Sequence, residues 1–145
     1  MAMKINNING LEKAFQPIMI GLVNQLADEV YNTLNEFLHD YYSRWRPEIY
    51  QRTEDFLRSA VKTEAKMDRG KCVAYVYIDY ESMNNYAGVT GYQVATWANE
   101  GLHGGLSVSH EPHVWNDTID NTINNGNLLK SAIAYLKSKG FSVRV

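Results

Sequence analysis

From about Leu11 onward, apolar positions recur at spacings of three and four: Phe15, Met19, Leu22, Leu26, Val30, Thr33 and Phe37. Asn24, Gln25, Asp28, Glu29, Asn32 and Asn35 fall mostly off that stripe. This periodicity predicts one long amphipathic helix running to about Tyr42. Pro17 falls near its expected start, around Phe15, where a missing amide costs little. The residues before Leu11 are polar and rich in Asn, so 1–10 read as a flexible arm and 11–145 as one domain. Pro47 disfavours helix at Arg46. Tyr41, Tyr42, Arg44, Trp45 and Arg46 gather rings and cations at that corner, where Arg–aromatic packing is expected.

The period then changes to two. Val61, Thr63, Ala65 and Met67 alternate with Lys62, Glu64 and Lys66, the pattern of a half-buried strand. Asp68-Arg69-Gly70-Lys71 supplies a turn. Cys72 to Tyr80 reads as a second strand, apolar on both faces, with Tyr75, Tyr77 and Tyr80 expected to pack against the long helix. Between Glu81 and Gly105 the chain is rich in Asn, Gly and Tyr and reads mostly as loop. Val94 to Ala98 suggests one helical turn or a brief strand there, and Gly101, Gly104 and Gly105 a mobile connection after it. Pro112 can open a short helix carrying Trp115, Ile119 and Ile123, ended by Asn124-Asn125-Gly126. Leu129, Ala132, Ile133 and Leu136 mark a last amphipathic helix, closed by Lys137, Lys139 and Gly140. Phe141, Val143 and Val145 alternate as a final strand. The fold class expected is α+β: a long N-terminal helix packed on a small antiparallel sheet, with C-terminal helices and a final strand.

Composition narrows the functional classes. The chain has 145 residues, 45% of them hydrophobic and 21% charged, with a net charge of −2. That length folds as one domain without disulfides or a structural metal. The near-neutral balance predicts no specific nucleic-acid or membrane partner. Cys72 is the single cysteine and cannot form an internal disulfide, which points to a reducing compartment. Its apolar neighbours suggest a core strand rather than a reactive thiol. The N-terminal residues lack a signal-peptide core, and Asn24, Asp28 and Glu29 interrupt the most apolar helix, so a soluble protein is expected.

Candidate chemistry is sparse. His103, His110 and His113 lie near Glu100, Glu111 and Asp117, the residue types that hold zinc or non-haem iron. Their spacing matches no compact ligand motif, and Gly104 and Gly105 place His103 on a glycine-rich loop. A small metal-dependent hydrolase using these histidines is therefore one alternative. No nucleophile elbow, phosphate-binding loop or dinucleotide fingerprint is present, and no cofactor is expected. Large, weakly charged groups accumulate instead between Met83 and Leu106. Aromatic and Met side chains favour protein interfaces, and Tyr86, Trp97, Leu102 and Leu106 are the interface candidates. A soluble adaptor binding another protein through this loop is a second alternative.

The order of features resembles a family of tailed-phage proteins. A long helix leads into Pro47-Glu48-Ile49-Tyr50-Gln51-Arg52-Thr53, then two strands. Trp97-Ala98-Asn99-Glu100-Gly101-Leu102-His103-Gly104-Gly105 follows, then Pro112 and C-terminal helices. This is similar to the head–tail connector, or tail-completion, proteins of phages and prophages. Residues Thr53 to Leu57 stand where that family has a threonine–glycine–leucine segment, and the Phe141–Val145 strand is an addition. The resemblance implies a non-enzymatic virion component made in the bacterial host cytoplasm. It would act in many copies at the head–tail junction or tail terminus, contacting the connector, the tail tube and other copies of itself in a ring.

Overall fold

A computed structural model describes residues 7–44, 55–83, 88–103, 106–107 and 113–145. Helix α1 (Ile8–Arg44) is 37 residues long, about 55 Å at 1.5 Å per residue. It starts ahead of the Leu11 onset expected from periodicity, because Asn7 caps it. The Asn7 side-chain oxygen accepts the Gly10 amide at 2.7 Å, and its carbonyl accepts the Leu11 amide at 3.1 Å. This moves Pro17 from the expected first turn into the helix interior, where its ring removes one ladder hydrogen bond.

The predicted hairpin forms, but as two short ladders. Strand β1 (Ala60–Lys62) pairs with β4 (Val76–Ile78), and β2 (Lys66–Asp68) pairs with β3 (Lys71–Val73), both antiparallel. Between them three residues, 63–65, oppose two, 74–75, so the register slips by one. Such a bulge exchanges the two faces of a strand. Before it, Ala60 and Lys62 face α1; after it, Ala65 does, with its amide on the Asn24 side chain at 2.7 Å. The uniform alternation expected over Val61–Met67 therefore holds only past the slip. On β4 the inner positions are Val76 and Ile78, which join the core. Tyr75, Tyr77 and Tyr80 are exposed, the first at 58%, which corrects their expected packing against α1.

Helix α2 (Gly91–Glu100) forms inside the stretch expected mostly as loop and contains the Val94–Ala98 segment, which is helical rather than a strand. Thr90 and Gln93 form a reciprocal capping box at its start, and Gly101 closes it at φ 72° with its amide on the Trp97 carbonyl. A small hairpin of β5 (Leu102–His103) and β6 (Leu106–Ser107) follows. Pro112 lies outside the described residues. Helix α3 (Val114–Ile119) runs on into a π-helical stretch over Asp120–Asn124. Thr118 and Thr122, both buried, return their hydroxyl hydrogens to the carbonyls four residues earlier. Gly126 at φ 78° turns the chain into α4 (Asn127–Ser138).

The final strand does not form. At the end of α4 the Gly140 amide reaches the Lys137 carbonyl and the Phe141 amide reaches Leu136, with Gly140 at φ 91°. That helix-stop motif takes up the Phe141 backbone, while its ring packs on Phe15 at 5.4 Å. Residues 141–145 pair with no strand among those described.

The core lies beside the C-terminal half of α1. Leu34, Leu38, Tyr41, Phe56, Ala60, Ala98 and Val114 form one buried cluster, which unites α1, the first hairpin, α2 and α3. Phe56 is edge-on to Tyr41 at 5.7 Å. The α+β class is as expected, with α1 as a spine flanked by the hairpin on one side and the C-terminal helices on another.

Candidate interaction surface

Of the three clustered histidines, only His113 has its side chain among the described residues. His113 stands just before α3, and its ring Nδ1 meets the Asn99 carbonyl at 2.9 Å. Its amide donates to Asp117 at 2.7 Å. The Asn99 side-chain oxygen accepts the Asn116 amide at 2.8 Å. The His113 side chain makes no cap to α3, so Asn99 supplies that cap from α2 and His113 helps to dock one helix on the other. His110 and Glu111 lie outside the described residues, and for His103 only the backbone, opposite Leu106, is described. Glu100 is exposed at the end of α2. Among the described residues, no three His, Cys, Asp or Glu side chains come together to hold a metal. Cys72 is half-buried and pairs across the ladder with Met67.

The interface candidates fall on one stretch of chain. Trp97 is half-buried on α2. Leu102 and Leu106 lie on β5 and β6, where Leu102 faces Ser107 across the ladder and Leu106 faces His103. Beyond that register their side chains are not among the described residues, and Tyr86 lies outside them altogether.

A surface that the periodicity reading assigned to the core proves more open. Tyr75 and Tyr77 stand on the outer side of the hairpin, and Tyr80 lies just after β4. The Tyr80 ring meets Tyr92 of α2 edge-on at 5.3 Å, and Tyr92 remains 61% exposed. Gly91 makes this junction: a Cβ there would stand 2.2 Å from the Tyr80 carbonyl oxygen and 2.9 Å from Met83. The sequence held a signal for this arrangement. Val76 and Ile78 are the β-branched alternates of the tyrosines, and in a strand with one covered face they take the inner positions.

One ion pair ties hairpin to helix. The Lys62 ammonium bonds the Asp28 carboxylate and lies 6.0 Å from the Tyr31 ring centroid. The hydrogen bond to Asp28 is the main reason that Lys62 holds its proton above the usual lysine value of 10.5. Partial shielding from water acts in the opposite direction.

What these residues compose is a helical spine with a braced hairpin and an exposed tyrosine surface. The chain belongs to the YomN family, whose model matches residues 7–138. This family is associated with Bacillus phages and prophages, so the chain is phage-related. No curated protein and no solved structure matches it. No helix among the described residues is long and apolar enough to cross a membrane.

Proposed function

We propose that this chain is a non-enzymatic structural protein of a phage or prophage particle. It acts in many copies at the head–tail junction or the tail terminus. The observation that carries the reading is the YomN match across residues 7–138. The exposed tyrosines on a braced frame support it, because rings held on ordered elements make contact area at low entropic cost. Its partners are other virion proteins, the connector and tail tube among them, and further copies of itself. Neither nucleic acid nor membrane is a specific partner, and the chain needs no cofactor. It is made in the host cytoplasm and ends in the virion. The hydrolase alternative has no support from a ligand set, since no three His, Cys, Asp or Glu side chains come together among the described residues.

Deletion of the gene from an inducible prophage, followed by electron microscopy of the lysate, tests this reading. The expected result is filled heads and separate tails, or tails of abnormal length, with full recovery by complementation. Joined, infectious particles in normal yield from the deletion strain would overturn it.

A further inference from the structure

Among the described residues, charges are sorted along α1. The hairpin runs beside the helix so that Lys62 meets Asp28 and Ala65 meets Asn24, which carries its tip toward the N-terminal end. Helix α4 runs the same way: Ser131 bonds Glu29, Tyr135 lies against Gly21, and Phe141 packs on Phe15. Lys13, Lys66, Arg69, Lys71, Lys137 and Lys139 therefore gather at one end, where they outnumber Glu12, Glu64 and Asp68. The other end is fixed by the core that joins Leu34, Ile78, Ala98 and Val114. Glu36, Asp79, Glu81, Glu100 and Asp117 lie near those residues in the chain, and Arg58 is a cation there.

Each end also exposes apolar surface. Ile8, 82% exposed, and Leu11 stand on the turns of α1 that precede the Phe15–Phe141 contact, about 10 Å of helix. At the acidic end the Tyr80–Tyr92 pair is open, next in sequence to Asp79 and Glu81. The N-terminal end of a helix adds partial positive charge of its own.

We propose that copies of this chain associate head to tail. The first turns of α1 in one copy, with Ile8, Leu11 and Lys13, seat on the Tyr80–Tyr92 pair and its neighbours Asp79 and Glu81 in the next. Charge complementarity selects a second copy as the occupant. Unlike ends attract, while two like ends meeting about a two-fold axis repel. A contact between different surfaces of identical chains continues into a ring if the rotation closes. This deepens the many-copy part of the function proposed above and rests on it. It is read on the purified chain, so its failure is distinct from an intact phenotype in the gene deletion.

Sedimentation velocity of the full chain at about 20 mM and about 500 mM salt is the test, chosen because screening falls between these limits. The expected result is species larger than dimers at low salt that shrink at high salt. Leu11→Asp and Tyr92→Ala each remove one end and each give monomers, whereas their equimolar mixture stops at dimers. Lys13→Ala and Glu81→Ala form a second such pair should either first variant lose its native circular dichroism. A native chain that stays monomeric at low salt, association indifferent to salt, or a mixture that stays monomeric would overturn the proposal. So would a duplex oligonucleotide bound through Lys66, Arg69 and Lys71 by a chain that does not self-associate.

Discussion

Gly91 and Gly21 are both crowded, yet what crowds them differs in kind. At Gly91 a Cβ would meet the Tyr80 carbonyl oxygen at 2.2 Å, a backbone atom held by the hairpin and the Met83 turn. At Gly21 it would meet the Tyr135 hydroxyl at 2.1 Å, the far end of a side chain. Overpacking costs about 1–3 kcal/mol where the neighbour cannot retreat, and replacing a mid-helix glycine by alanine returns about 1 kcal/mol. Gly91→Ala is therefore expected to lower stability by about 2 kcal/mol or more, and Gly21→Ala by less. Adding Tyr135→Phe, which removes the closest atom, should bring the Gly21→Ala chain back to the stability of Tyr135→Phe alone or above it. Urea denaturation of the four variants checks this. Equal losses at the two glycines would mean that the Tyr80 backbone yields as easily as a phenol ring.

At the scale of elements, what could be read in advance depended on whether a local pattern met a local exception. The long helix and α4 were legible because their stripes span many turns and packing agrees with them. Of helix α2 only Val94–Ala98 was legible, as a helical turn or a brief strand, although fuller signals were present. Thr90 and Gln93 stand three apart as a capping box, and Gly101 stands at the stop, but the Asn, Gly and Tyr around them weighed toward loop. The tyrosine surface was missed for another reason. The one-residue slip between Lys62 and Lys66 changes which side of the hairpin faces α1, and nothing in the alternation of Val61 to Met67 announces it. The last strand failed because Gly140 and Phe141 serve the helix stop first. The interface candidates could be named by residue type, but their exposure depended on elements that composition does not reveal.

The hairpin's attachment to α1 carries its own pH signature. Lys62 has its proton affinity raised in the folded chain by Asp28, so its contribution is complete below the ordinary lysine value of 10.5. It fades as pH rises through the higher folded value. Asp28→Asn should therefore lower the melting temperature by the same small amount at pH 7 and pH 9, about the worth of a partly exposed pair. The gap to the native chain should close only well above pH 10. Melting curves across that range measure it, and a gap that already closes near pH 8 would assign the effect to another group.

The described residues form a long spine with exposed features at both ends: tyrosines on the hairpin and α2 near the core, aliphatic residues on the first turns of α1, and charges of opposite sign toward opposite ends. A monomer gains little from such sorting, since like charges gathered at each end repel. It fits a part that works among many neighbours. Quantitative mass spectrometry of gradient-purified phage particles tests whether the chain is such a part. Peptides of this chain are expected in joined particles, at a fixed ratio to the other neck or tail proteins and in several copies per particle. Abundant chain in the host lysate and none in the particles would contradict this.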